Sequence, residues 1–266
     1  MDGNAGDPLQ WYYEIPPVSR TYMTAAFVTT ALTALDLVSP IQFFLNWKLV
    51  MQGQAWRLLT TFLFFGTLSL DFLFHMYFLA RYCRLLEEGE FHRKTSDFVF
   101  FLLFGAVLML AAQPLVSLPF LGSSLSFMMV YVWGRRNEHV RMSLFGLLPF
   151  TAPYLPWVLL AVSVLVNNSG ALSTDLLGIG VGHMYYFLAF IYPEVAAIRG
   201  WRLRRVIHTP RLLQVLCGER ALAHAEQPRI VEPAGGALPP QGGNRLGGRE
   251  GGAGWGWGGG GRAHQD

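Results

Sequence analysis

Six stretches of apolar residues follow one another between Thr21 and Tyr192. Most of the connections between them are short and polar. They lack the polar face at helical period that a helix of a soluble core presents to water. A run of about 20 apolar residues is long enough to cross a bilayer as a helix. The pattern therefore predicts six membrane spans, over residues 22–38, 69–82, 97–112, 120–133, 144–166 and 172–191.

The composition favours a polytopic helical membrane protein. Of the 266 residues, 52% are hydrophobic and only 14% are charged, whereas an ordinary soluble domain has roughly 25% charged residues. After Gly200 the chain becomes polar, basic or rich in glycine. We interpret residues 193–218 as a basic juxtamembrane segment. Residues 219–266 are predicted to be a disordered tail, because their composition cannot bury a core.

Basic residues lie in alternate connections. Arginines follow the second, fourth and sixth runs, whereas the connections after the third and fifth runs, AAQPLVSLP and NNSGALST, contain no basic residue. Because basic connections remain on the cytosolic side of a membrane, six spans place both termini in the cytosol, including residues 1–20. The net charge of +3 follows from this topology and does not indicate nucleic-acid binding.

The connection between the first two runs is too apolar for water and poorly shaped for a span. It contains Trp47 and Trp56 together with Lys48 and Arg57. Tryptophan is enriched at headgroup level and arginine can reach phosphate from there, which favours an interfacial segment. The spans beside it are short, and a span shorter than the bilayer thins it locally.

Ionisable residues inside the apolar runs are candidate functional groups. Asp71 and His75 lie in the second run, and Asp175 and His183 lie in the sixth. Exposing such groups to hydrocarbon costs roughly 2.5–3.5 kcal/mol or more, so we expect them to face a hydrated cavity. They are too scattered along the chain to predict a metal site, and no cofactor is expected.

The stretch DLLGIGVGH, from Asp175 to His183, contains three glycines in a run predicted to be helical. On a helical wheel Asp175, Gly178 and Gly182 form one narrow stripe. Two glycines one turn apart let a second helix approach closely. A packing seam within the protein is the main interpretation, and contact with a substrate is the alternative. Gly180 lies off the stripe and the sequence does not explain it.

Six fragments of the chain, in order, resemble the Derlin family of rhomboid-like pseudoproteases. They cover most of the chain between Tyr12 and Leu216 and read WRLLTTFLFFG, RYCRLLEEGEF, TSDFVFFLLFG, VYVWGRRN, GLLPFTAPYLPW and DLLGIGVGHMYYFL. The resemblance includes the pair Trp56–Arg57 and the glycines Gly178 and Gly182. It implies an all-α, rhomboid-like bundle of six transmembrane helices in the endoplasmic-reticulum membrane.

The resemblance also implies a non-catalytic role in endoplasmic-reticulum-associated degradation. The protein would aid the movement of misfolded proteins to the cytosol for ubiquitination and proteasomal degradation. The partners implied are misfolded proteins, an ubiquitin-ligase complex, lipids of the endoplasmic reticulum, and other Derlins or further copies of the chain.

A further partner is suggested by the stretch WGGGGRA close to the C-terminus, which contains Trp257, Gly258 and Arg262. It resembles the tail motif with which Derlins dock on the AAA ATPase valosin-containing protein. Ala263 stands in place of the final leucine of that motif. An incidental tryptophan in low-complexity glycine is the other interpretation.

An intramembrane serine protease of the rhomboid type is the main alternative function. Such enzymes use a serine that opens span four and a histidine three residues before the first glycine of span six. The sequence has Ser124, but Asp175 occupies the place of the histidine, and serine is a weak nucleophile without a base in reach. Asp71 and His75 occupy the places of the oxyanion donors, where an aspartate would oppose the developing charge. We therefore expect no protease activity.

A small-solute transporter is a third alternative. Many transporters are built from internal repeats and contain discontinuous helices. No such repeat is visible in the sequence, so this alternative has less support than the other two.

Overall fold

The computed structural model describes residues 8–116, 118–144, 148–167, 172–201 and 207–217. These residues are mostly helical. Their α-helices are α1 (Pro8–Glu14), α2 (Pro17–Ala34), α3 (Trp47–Met51), α4 (Arg57–Leu63), α5 (Leu70–Leu85), α6 (Thr95–Val116), α7 (Gly122–Arg136), α8 (Leu155–Asn167), α9 (Leu172–Tyr186), α10 (Tyr192–Arg199) and α11 (Arg211–Leu216). One antiparallel hairpin joins β1 (Arg141–Leu144) to β2 (Leu148–Thr151), with Arg141 opposite Thr151. The predicted tail, residues 219–266, lies outside the described residues.

Two of the described helical segments are long and apolar enough to cross a membrane. One is α6, with a mean hydropathy of 2.3, and the other is the continuous segment Leu172–Arg199, with a mean hydropathy of 1.3. The apolar helices α5, α7 and α8 are shorter, with 16, 15 and 13 residues. A mostly helical chain with these apolar helices is consistent with a membrane protein.

The predicted span over residues 144–166 is wrong in its first part. The strands of the hairpin occupy the beginning of this run, and α8 begins only at Leu155. Pro149 and Pro153 lie in the part that is not α-helical. Proline lacks a backbone donor and disfavours the helical conformation of the residue before it, which explains the late start of α8.

The predicted end of the sixth span at Ile191 is also wrong. A π-helical turn, Phe187–Ile191, follows α9, and the chain then continues as α10 to Arg199. Pro193 lies just beyond the predicted end, and proline within a helix clashes with the carbonyl group four residues before it. The wider π turn in front of Pro193 relieves this clash, so the helical segment continues.

Helix α7 lies at the centre of the fold. Twelve of its 15 residues are buried, and it contacts α4, α5, α6, α8 and α9. Because other helices cover α7 on most sides, few of its side chains are exposed. Polar side chains of α7 such as Ser124 and Tyr131 therefore find hydrogen-bond partners on a neighbouring helix.

Helix α9 makes the closest contact with α7. A β-carbon added at Gly178 would overlap the carbonyl oxygen of Ser124, and one added at Gly182 would lie 3.1 Å from Cβ of Tyr131. Such close approach of two helices requires residues without a side chain. A β-carbon at Gly180 would meet nothing within 4 Å, because this glycine faces away from α7.

Substitution of Gly178 tests the close contact between the two helices. We expect Gly178→Ala to lower the free energy of unfolding by about 2 kcal/mol, since overpacking of a tight contact costs roughly 1–3 kcal/mol. The measurement is thermal unfolding of the purified protein in detergent micelles. Gly180→Ala is the matched control, and we expect it to be neutral or slightly stabilising because alanine favours a helix. Equal losses in the two variants would contradict the assigned contact.

A buried carboxylate connects the start of α2 to the π-helical turn after α5. Glu87, only 6% exposed, accepts hydrogen bonds from the backbone N–H groups of Val18 and Ser19 at 3.0 and 2.7 Å. The hydroxyl of Ser19 donates a third at 2.6 Å. The first N–H groups of a helix lack partners within the helix, and the helix dipole favours a negative charge there. Glu87 therefore caps α2 from a distant part of the chain.

Removal of this cap should destabilise the fold. We expect Glu87→Ala to cost about 2–3 kcal/mol, because hydrogen bonds to a charged group contribute roughly 1.5–3 kcal/mol. Chemical or thermal unfolding in micelles measures the loss. Glu88→Ala serves as the control, since the neighbouring Glu88 forms only an exposed ion pair with Arg84, which contributes about 1 kcal/mol or less. Similar effects of both substitutions would argue against the capping role.

Candidate functional site

A small polar cavity lies between α5, α7 and α8. Its volume is about 30 Å³, which is room for one or two water molecules. Polar groups from all three helices reach it, although apolar side chains form most of the wall. The polar lining residues are Asp71, His75, Ser126 and Ser163.

The first turns of α5 bring two of the predicted residues together. Ser69 caps this helix by accepting a hydrogen bond from the N–H group of Phe72. Asp71 then lies in the first turn, where the helix dipole favours its negative charge. His75 follows one turn later, and its Nε2 lies 3.5 Å from Oδ1 of Asp71. The pair forms one polar wall of the cavity.

Asp175 reaches the cavity only through another residue. Its side chain is completely buried, and Oδ2 accepts a hydrogen bond of 2.6 Å from the hydroxyl of Ser163. Ser163 lines the cavity and connects α8 to α9 by this bond. Because a buried carboxylate is costly unless it is hydrogen-bonded, the bond also explains why Ser163 interrupts an apolar helix.

Ser124 is engaged by the backbone of α9. Its hydroxyl is completely buried and donates a hydrogen bond of 2.6 Å to the carbonyl oxygen of Thr174. The next residue, Asp175, is bound to Ser163. A serine acts as a nucleophile when a base accepts its proton, whereas here the hydroxyl proton is directed at a peptide carbonyl.

His183 lies apart from the cavity, although it was grouped with the cavity residues. It is exposed on α9, and its Nδ1 shares a hydrogen bond of 2.6 Å with the hydroxyl of Tyr131. Arg135 donates from Nε to the same hydroxyl at 3.2 Å. The structure thus brings Asp71, His75 and Asp175 to one site and His183 to another.

The connection between α2 and α5 is held together by Arg57. The guanidinium donates from Nε to the side chain of Gln54 at 2.7 Å, and from Nη1 to the carbonyl oxygens of Ile41 and Phe44 at 2.8 Å each. Arg57 is only 6% exposed. The expectation that it reaches lipid phosphate is therefore wrong. Its neighbour Trp56 is 56% exposed and faces outward.

Several residues of the site were not predicted from the sequence. Ser126 and Ser163 lie within apolar runs, where a polar residue is a signal of an inward-facing position. The sequence gives no such signal for Tyr131, since an aromatic residue in an apolar run is commonly part of the hydrophobic core. Within the described ranges, no group of three or more His, Cys, Asp or Glu side chains is arranged to hold a metal ion.

Comparison with known proteins identifies the family. Residues 15–211 match the Der1-like family. The chain is 47% identical to Derlin-2.1 of Arabidopsis thaliana over 81% of its own length and 90% of that protein. It is 45% identical to Derlin-2 of Oryza sativa subsp. japonica, with 85% and 92% covered, and 41% identical to Derlin-1 of Arabidopsis thaliana, with 70% of each covered. The chain belongs to the Der1-like, or Derlin, family.

Substitution of Arg57 tests its role in the connection. We expect Arg57→Lys to loosen residues 39–57, because an ammonium group cannot reproduce the planar arrangement of the guanidinium donors. Faster amide hydrogen exchange in this segment, measured by mass spectrometry, is the expected result. The exposed Arg81, whose guanidinium bonds to the hydroxyl of Tyr77 on its own helix, provides the control Arg81→Lys. Unchanged exchange in Arg57→Lys would show that the bonds do not hold the connection.

Proposed function

We propose that this protein is a non-catalytic membrane component of endoplasmic-reticulum-associated degradation that aids retrotranslocation of misfolded proteins. The non-catalytic assignment rests mainly on the groups that contact Ser124. The hydroxyl bonds to the carbonyl group of Thr174, and the adjacent ionisable residue is the carboxylate of Asp175. Membership of the Derlin family supports the same assignment.

The alternative, an intramembrane serine protease, is disfavoured by this geometry. Acyl transfer by serine requires a base that removes the proton and donors that stabilise the oxyanion. His183 is bonded to Tyr131, and His75 lies beside Asp71. A carboxylate next to the reacting carbonyl would oppose the charge that develops there.

The lengths of the central helices support a role in passage across the membrane. At 1.5 Å per residue, α7 is about 22 Å long and α8 about 20 Å, whereas the hydrocarbon core of a bilayer is about 30 Å thick. Short spans thin the bilayer around them. A thinned bilayer lowers the cost of moving polar segments across it, and the exposed Trp56 would anchor the connecting segment at the headgroups.

The polar cavity supports the proposal in a second way. Asp71 and His75 contribute polar groups to the lining of the cavity. The hydroxyl of Ser126 also lies there, and it makes no hydrogen bond within the described part of the chain. We infer that water occupies this cavity, because buried polar groups need partners. A cavity of this size admits water but not a peptide, so it would keep the bundle interior polar beside a passing polypeptide rather than enclose it.

The proposal includes a location and partners. The protein would lie in the endoplasmic-reticulum membrane as a six-span, rhomboid-like bundle with both termini in the cytosol. It would act with an ubiquitin-ligase complex on misfolded proteins, alone or together with other Derlins. Its tail, through Trp257, Gly258 and Arg262, would contribute to docking of the AAA ATPase valosin-containing protein.

A rescue experiment tests the proposed function. In cells lacking this protein, we expect the half-life of a misfolded membrane or luminal client to increase and to be restored by the wild-type chain. Ser124→Ala should rescue as well as wild type, because no serine chemistry is involved. Trp56→Ala should fail, since it removes the anchor of the connecting segment. Client half-life is measured by cycloheximide chase with the expression level of each variant matched.

Two controls separate this function from proteolysis. Trp201→Ala removes a similarly exposed tryptophan, 44% exposed, from a distant part of the fold and should rescue fully. Labelling by a serine-reactive fluorophosphonate probe should be absent in the wild type. Failure of Ser124→Ala to rescue, together with probe labelling that this substitution abolishes, would establish the protease instead.

A further inference from the structure

A second open space lies further along α7, toward its C-terminal end. This groove is bounded by α7, the beginning of α8 and the second half of α9, and its volume is about 820 Å³. Seven side chains with polar or aromatic groups line it. They are Tyr131, Arg135, Glu138, His139, Tyr154, Trp157 and His183.

One end of the groove is cationic and rich in donors. Arg135 uses Nε to bond the hydroxyl of Tyr131, and the same hydroxyl contacts Nδ1 of His183. The two terminal nitrogens of Arg135 make no hydrogen bond to any residue that the structure describes. A guanidinium with free terminal donors binds a phosphate group through two parallel hydrogen bonds.

Another part of the groove lining suits a cation. Glu138 contributes a carboxylate that is exposed, and the rings of Tyr154 and Trp157 are 62% and 51% exposed. Aromatic faces attract alkylammonium groups, and a carboxylate adds a full opposite charge. In the described residues neither Arg135 nor Glu138 forms an ion pair within 4 Å, although the charge of Glu138 acts on Arg135. The groove therefore carries one charge of each sign.

Gly180 explains how the groove stays open. A β-carbon at this position would meet nothing within 4 Å, and the residue lines the groove. A larger side chain would project into the space. Beyond Gly180, the outer surfaces of α8 and α9 are apolar, with Leu165 83% and Leu176 41% exposed, which suits hydrocarbon chains.

We propose that this groove binds the headgroup of a zwitterionic phospholipid. The phosphate lies on Arg135, Tyr131 and His183, and the ammonium group lies between Glu138 and the ring of Trp157. The acyl chains follow the apolar surfaces of α8 and α9 past Gly180. The balanced charge of the groove, one guanidinium and one carboxylate, matches a headgroup that carries one charge of each sign.

Native mass spectrometry of the full chain in detergent micelles tests the site. The wild type should retain phosphatidylcholine, and it should bind phosphatidylglycerol, which has no ammonium group, more weakly. Arg135→Ala should weaken retention of phosphatidylcholine about tenfold, which is the effect of losing hydrogen bonds to a charged group. Gly180→Leu should reduce it by filling the groove. Arg141→Ala, an exposed arginine outside the groove, is the matched control and should bind as the wild type does.

Three results would overturn the proposal. The first is equal retention of phosphatidylcholine by the wild type and Arg135→Ala. The second is equal retention of phosphatidylglycerol and phosphatidylcholine, because the acidic and aromatic end would then have no role. The third is binding of soluble glycerophosphocholine as tight as that of phosphatidylcholine, because the ligand would then not be a lipid. Thermal unfolding checks each variant, and Trp157→Ala replaces Gly180→Leu if the latter does not fold.

Discussion

The contact between α7 and α9 determines most of the site. Gly178 and Gly182 bring the backbones of the two helices together, and helices can approach this closely in a membrane only where small residues face each other. The same contact sets the hydroxyl of Ser124 against the carbonyl group of Thr174. It also places His183 against Tyr131, outside the polar cavity. A change in this distance would therefore alter both polar regions at once.

Two buried side chains hold the surrounding elements by binding backbone groups. Glu87 satisfies the N–H groups at the start of α2, and Arg57 satisfies carbonyl groups of the connecting segment. In a protein surrounded by lipid, backbone polar groups without a partner are costly because no water replaces the missing bond. Charged side chains that would be unfavourable alone thus stabilise irregular backbone, and they allow a long connection to fold against the bundle.

The polar groups of the bundle are divided between a small cavity and a larger groove, and α7 lines both. Asp71, His75 and Ser163 form the cavity, whose volume of about 30 Å³ admits water but not a peptide. This size is consistent with a scaffold that must rearrange or act beside its substrate rather than enclose it. The groove is wider and carries opposite charges, so it is suited to an amphiphile.

The sequence by itself determined the features that depend on local pattern or residue identity. The apolar runs predicted helices where α5, α6, α7 and α9 lie, and Asp175 could be seen in the place of a catalytic histidine. Only the tertiary structure decided which long-range partner each polar residue meets. The side chain of Arg57 points inward and binds backbone carbonyl groups, Ser163 donates a hydrogen bond to Asp175, and Gly180 lines a groove. Periodicity shows which face of a helix is apolar, but a hydrogen bond between distant residues depends on how the helices pack.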